Sequence, residues 1–366
     1  MTEFDMKNAL TTLAILFASS SPLFSQQYQF DDITIPPAAA DESIRESFSL
    51  EHAKNYLENA ALAWNRDRGC VSCHTTGSYM LAAPELASLL GKPNSEIREA
   101  LVSQLAELKK VDRAKFNSGT RTAQVIYIAA GLAEWDSHVG KALSPETDEA
   151  LKLMFELQND EGTWQSLDCW PPFESSSYQE AIVAVMAATT APNWLDVAGE
   201  MHPGMKRLID YLKKTPPAHD YARVLKLWSS TRVQGILEPA QKDEIIALIA
   251  EKQHEDGGWA MRDFAKPEEW GSGNRAGKLR AEPDFDNPPS DGHMTGLATL
   301  VLRDAGVPAD DPRIKKAVTW LLANQRESGR WWARSLNTDK KHYITHSATS
   351  YALLALAKCG ALSGAE

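Results

Sequence analysis

The chain has no basic tract. Lysine and arginine total 38 against 49 acidic residues, the formal charge is −11 and the pI is near 5.4. Nothing here would neutralise a phosphate backbone, so nucleic acid is left out as a partner. No apolar run is long enough to cross a bilayer; the segment Ala9 to Phe17 falls well short. No stretch alternates apolar and polar residues over strand length, which argues against a β-rich fold. Cys-x-x-Cys occurs once, so there is no second pair to complete a four-cysteine zinc site, and Cys169 and Cys359 stand alone.

What is present is a repeat. Gln158-Asn-Asp-Glu-Gly162-Thr-Trp164, Gln253-His-Glu-Asp-Gly257-Gly-Trp259 and Gln325-Arg-Glu-Ser-Gly329-Arg-Trp331 share the spacing Gln-x3-Gly-x-Trp. Each follows apolar residues at helical spacing: Leu151, Met154 and Phe155; Ile245, Leu248 and Ile249; and the run Ile314 to Leu322. Glycine can take the positive φ that ends a helix. Glutamine can bond helix-end carbonyls, and tryptophan can cover the turn while its N–H finds an acceptor. The spacing predicts paired helices at 50–64 with 77–90, 95–109 with 120–135, 144–157 with 178–190, 204–213 with 220–230, 239–252 with 291–304, and 312–324 with 345–358. The loop 260–290 reads as a lid or rim insertion. A chain 43% hydrophobic has core enough for one large domain.

The ends are read as follows. Residues 1–25 form an export leader, with Lys7 before the apolar segment, small residues after it, and Met6 as an alternative start. Residues 26–47 are a polar, proline-containing extended arm, and 48–366 are one domain. The chain is therefore expected to be periplasmic or secreted.

The Gln-x3-Gly-x-Trp turn resembles the repeat of the squalene–hopene and oxidosqualene cyclases. That resemblance implies an all-α fold, the α/α toroid of six outer and six inner helices shared with the protein prenyltransferases. It also implies a central cavity for a hydrophobic small molecule. Periodicity alone gives only a helical repeat array. In such a toroid the second helix of each pair lines the centre. Its polar starts here are Thr75-Thr76, Arg121-Thr122, Tyr178-Gln179-Glu180, His219-Asp220-Tyr221, Asp291-Gly-His293 and Thr345-His346.

Cys70-Val-Ser-Cys73-His74 is the c-type haem attachment sequence. Two thiols can form thioethers to both vinyl groups, and His74 follows as proximal iron ligand. Attachment occurs outside the cytoplasm, where the leader would deliver the chain. The expectation is one covalent haem c, with His293 or His346 as the distal ligand and His219 and Met80 behind them. A disulfide between the two thiols, or a zinc site using His74, stays open.

The cyclases open an inner helix with Asp-x-Asp-Asp-Thr, whose middle aspartate protonates an alkene. Asp291-Gly292-His293-Met294-Thr295 matches only at its ends, and imidazolium is a far weaker acid for that step. Glu174, Glu180 and Asp220 are further carboxylates that could face a cavity, and Asp284 and Asp286 read as loop residues. Arg330, Arg334, Lys340 and Lys341 around Trp331-Trp332 could bind an anion or a propionate. Three functions follow: a redox protein that meets a partner protein or oxidises a cavity-bound substrate, a cyclase-like isomerase or lyase centred on Asp291 and His293, or a binding scaffold.

Overall fold

The computed structural model describes residues 28–167, 172, 176–197, 200–337 and 343–362. The leader 1–25, together with Cys169, Glu174, Lys340 and Lys341, lies outside them.

A hairpin comes first, β1 (Tyr28–Phe30) against β2 (Ile33–Ile35). The helices follow in order: α1 (Leu50–Arg68), α2 (Thr76–Ala82), α3 (Ala87–Leu90), α4 (Ser95–Lys109), α5 (Arg121–Trp135), α6 (Pro145–Glu156) and α7 (Ser177–Thr190). A small hairpin of β3 (Asp196–Val197) and β4 (Glu200–Met201) leads to α8 (Pro203–Lys214), α9 (Asp220–Arg232), α10 (Pro239–Glu251), α11 (Ala276–Arg280), α12 (Gly292–Asp304), α13 (Pro312–Ala323) and α14 (Tyr343–Lys358). The helix expected over 77–90 breaks in two. Pro84 cannot donate its backbone hydrogen bond, so a turn separates α2 from α3. The loop 260–290 is not bare, since it carries α11 and two short 3-10 turns.

Six helices close an inner ring: α2 packs on α5, α5 on α7, α7 on α9, α9 on α12, α12 on α14, and α14 back on α2. Outside them, α1 lies against α2 and α14, α4 against α2 and α5, α6 against α5 and α7, α8 against α7, α10 against α9, and α13 against α12 and α14. This is the expected α/α toroid. Burial follows the same logic. The outer helix α4 buries a single stripe, Ile97, Leu101, Leu105 and Leu108. The inner helix α5 is buried almost all round, because neighbours cover every side.

The three repeated turns explain how the outer ring is joined. Each glutamine Nε2 donates to its own turn's glycine carbonyl and to the start of the next outer helix. Gln158 reaches Gly162 and Gly204 O, each at 3.0 Å. Gln253 reaches Gly257 and Arg313 O, each at 2.9 Å. Gln325 reaches Gly329 and Ser49 O, each at 2.9 Å. The third turn thus joins the last outer helix to the first. Each tryptophan Nε1 donates to a carbonyl of the helix it follows: Trp164 to Met154 (2.7 Å), Trp259 to Ile249 (2.7 Å) and Trp331 to Leu321 (2.8 Å). Gly162, Gly257 and Gly329 all sit at φ +92°.

The arm expected to be merely extended is a clasp on this seam. Ile44 bridges Arg326 in antiparallel pairing. Arg330, 1% exposed, donates from Nε to Glu42 Oε2 at 2.7 Å and to the Pro36 and Pro37 carbonyls at 2.8 and 2.6 Å. Its charge is spent inside the fold rather than offered to an anion or a propionate. Arg334 pairs with Asp284 at 3.2 Å.

A methyl group on Gly329 would run into the His52 carbonyl, and its φ is one that L side chains resist. Gly329→Ala is therefore expected to cost at least about 1–3 kcal/mol in urea unfolding. Gly277→Ala, where nothing lies within 4 Å of the added methyl, should be neutral or slightly stabilising. Equal midpoints for the two variants would contradict this account of the turn.

Candidate functional site

The polar starts of the inner helices do not converge on one site. Asp291 caps α12: Oδ1 accepts from Met294 N (2.8 Å) and Oδ2 from Met261 N (2.6 Å). Burial raises its pKa against those hydrogen bonds. Both oxygens face backbone donors, so the structure places it as a cap rather than as an acid aimed at a substrate. His293 lies between three inner helices. Ser347 Oγ donates to the Ile344 carbonyl (2.9 Å), so it accepts from His293 Nδ1 at 3.1 Å, and Nε2 accepts from the Tyr221 hydroxyl at 2.9 Å. Burial pushes its pKa down to about 3. His346 donates from Nε2 to Leu57 O (3.2 Å), while Nδ1 faces Ser78 Oγ (3.0 Å); burial lowers its pKa to about 4. Each is a neutral imidazole with both ring nitrogens engaged in the interior, which is not the position of a distal haem ligand.

The donor set of a c-type haem is present, but its arrangement does not fit one macrocycle. Side chains three apart share a face only on a helical turn. No such turn spans Cys70 to Cys73: α1 ends at Arg68, Gly69 takes φ +59°, and helix resumes at Thr76. The two cysteines sit in different surroundings. Cys73 is buried with the main core and lines the central cavity. Cys70 packs on a separate cluster of Ile35, Tyr56 and Trp64 beneath the N-terminal hairpin. Burial raises the Cys70 pKa, so it is held as thiol. The His74 ring, 8% exposed, meets the Trp64 ring edge-on with centroids 5.1 Å apart, and its Nδ1 lies 3.3 Å from the Ser72 and Thr75 hydroxyls.

Among the described residues, the cavity at the centre of the ring is small. The cavity lined by Cys73, Ser78, Tyr127, Gln179, Leu225 and Tyr351 holds about 30 Å³, room for roughly two waters. Larger spaces lie at the inner-helix starts. One cleft of about 370 Å³ is walled by Tyr178, Gln179, Tyr211, His219, Tyr221 and Trp270. A second, about 480 Å³, adjoins it across His219, Glu269 and Trp270 and includes Asp220, Arg223 and Lys252. The Gln179 side chain lines both the first cleft and the central cavity, and its buried Oε1 has no hydrogen-bond partner.

His219 is the titratable group between the two clefts. Its Nδ1 accepts from Ala222 N (3.1 Å) at the start of α9, which leaves the proton on Nε2. Burial lowers its pKa, opposed by Glu269 and Asp220. Its ring lies 5.1 Å from that of Trp270. Of the carboxylates expected at a cavity, Asp220 is a rim residue held by Lys252 (3.1 Å) and Arg223 (3.4 Å), and Glu180 is buried in α7. Sequence reasoning missed Glu269 and Trp270, because both lie in the irregular loop where no period orders the residues. The Trp-Gly pair at 270–271 was the available signal.

No protein-family model matches the chain and no curated protein matches it. Among solved structures it is similar to the type II terpene cyclase MstE from Scytonema, at 13% identity over 84% of this chain and 99% of that one, with a TM-score of 0.45. It is also similar to an unsaturated glucuronyl hydrolase specific for heparin, at 10% identity over 76% and 85%, with a TM-score of 0.44. At these scores the likeness carries no argument about activity; the toroid stands on its own closed ring of contacts.

The buried imidazoles give a pH dependence with a definite sign. Unfolded histidine titrates near 6.5, and the folded values lie near 3 and 4. Between those limits the unfolded chain binds more protons, so stability falls as pH drops from about 6.5 toward 4. Each imidazole adds a slope of up to about 1.4 kcal/mol per pH unit. Melting temperatures between pH 4 and 7.5 should show a shallower acid limb for His346→Gln than for wild type. Parallel limbs would remove His346 from the account.

Proposed function

We propose that the protein is an exported toroid that binds a small, ring-bearing, hydroxylated molecule in the paired clefts at the inner-helix starts, with His219 and Glu269 as polar groups on their shared wall. The observation that carries the reading is the shared wall of His219, Glu269 and Trp270 between spaces of about 370 and 480 Å³. Aromatic faces from Tyr178, Tyr211, Tyr221 and Trp270 suit flat apolar faces of a ring, while Ser176, Ser177, Thr215 and Gln179 offer hydroxyl and amide partners. His219, with Nδ1 held by Ala222 N, keeps an Nε2 proton to donate to a hydroxyl, and the Glu269 carboxylate pulls on the same ring. A squalene-sized isoprenoid would instead need the central space of about 30 Å³ to widen several-fold, so a cyclase-like reaction ranks behind this reading.

A second reading, a covalent haem c in a redox protein, rests on the Cys70-Val-Ser-Cys73-His74 motif itself. It requires residues 70–74 to coil into a helical turn and the N-terminal hairpin to yield the space over Trp64. No reaction step is assigned to it.

Two measurements decide between them. In a thermal-shift screen of phenols and polyols, compounds that raise the wild-type melting temperature should lose that shift in Tyr211→Ala and His219→Ala. Hits that shift both variants like wild type would defeat the cleft reading. A visible spectrum of protein secreted from a host with haem-maturation machinery tests the second. Colour that disappears in Cys70→Ala supports a haem; a colourless wild type removes it.

A further inference from the structure

The opposite end of the ring, where the inner helices finish, carries a cluster that neither reading uses. Glu85 follows α2, Glu134 occupies the last turn of α5, and His138 sits in the π-helical turn Asp136–Gly140 that continues it. One donor atom from each lies within 4.8 Å of the others. Glu134 and His138 are four apart on a continuous helical run, the spacing at which two side chains stack on one face and can chelate a single ion. Their Oε2 and Nε2 atoms are 3.2 Å apart.

We propose that Glu85, Glu134 and His138 bind one divalent transition-metal ion, of the zinc or manganese class, on the wall of the central cavity. Two carboxylates and an imidazole are a borderline donor set suited to those ions. Glu134 is 5% exposed, and its buried Oε2 faces His138 Nε2 inside the cluster. The remaining oxygens are held from outside. Thr190 Oγ1 donates to Glu134 Oε1 at 3.0 Å, and Lys358 Nζ lies 3.0 Å from Glu85 Oε1 and 3.2 Å from Asp304 Oδ1. This is the outer-shell arrangement that orients ligating carboxylates. Lys358 holds one oxygen of Glu85. Asp304 offsets the lysine charge, and Arg232 reaches Asp304 from 3.9 Å.

Metal–ligand bonds of about 2.0–2.2 Å put neighbouring donors about 3–3.5 Å apart, so the cluster must tighten by about an ångström. Half-buried Glu85 and His138 have the freedom to do so. Glu85 and Glu134 both line the central cavity, so open coordination positions on the ion would face its roughly two waters. The inference is independent of the clefts at the other end of the ring.

The test is calorimetric titration of chelator-treated full-length protein with zinc chloride, on wild type, His138→Ala, Glu134→Gln and Cys70→Ser. The expected result is one saturable site per chain. Affinity should fall at least tenfold in His138→Ala and Glu134→Gln and stay unchanged in Cys70→Ser. Half-buried His138 decides the matter if Glu134→Gln fails to fold. No saturable binding in wild type would overturn the proposal. So would binding retained in His138→Ala and lost in Cys70→Ser, which would hand the ion to the thiols.

Discussion

The fold depends on the hydrogen bonds that the Gln325 side chain makes across the seam between the last outer helix and the first. Nε2 donates to Ser49 O and Oε1 accepts from Ser49 N, at 2.9 and 2.7 Å. A helix end leaves carbonyls without partners and a helix start leaves donors, and one amide satisfies some of each. The same glutamine device recurs at positions 158 and 253, where it joins neighbours in sequence. At position 325 it joins residues 276 apart. Without that third use the helices would be an open array. With it, and with Arg330 buried among Glu42, Pro36 and Pro37, the array becomes a ring with no exposed end helix.

Closing the ring decides where a ligand can go. Inner helices pressed together on both sides must be apolar and small on their contact faces. Gly296 of α12 abuts the backbone of Tyr351 and Ala352 in α14, and His293, one of the polar groups that remain inside, pairs with Tyr221 and Ser347. The centre is left with little volume. Among the described residues, larger space lies where the inner helices begin and the irregular segment 260–290 stands off them, and it is there that His219 meets Trp270.

Much of this was legible in the residues. The Gln-x3-Gly-x-Trp spacing located three turns and, with the apolar periods, twelve helices of the double ring, because both signals come from short-range backbone physics. What the sequence did not show is which way side chains near those helix starts would face. Asp291 reads as a site residue and is a cap, since an aspartate before an apolar run serves either purpose. Cys70 and Cys73 read as a pair because spacing alone does not say whether the intervening chain is coiled. Glu85 comes together with Glu134 and His138 only through the contact of α2 with α5, which no local pattern announces.

The seam has a consequence for how the chain comes to be folded. A ribosome releases α1 and α2 first, yet their partners α13 and α14 emerge last. Until then the face of α2 meant for α14, and the stretch 36–49 meant for Arg330 and Gln325, stand without cover. Hairpin-by-hairpin assembly can proceed through the middle of the molecule, but the two edges wait for one another. A chain cut short before Trp331 would keep most of its helices and still be left as an arc with two sticky flanks, an object prone to pair with its own copies.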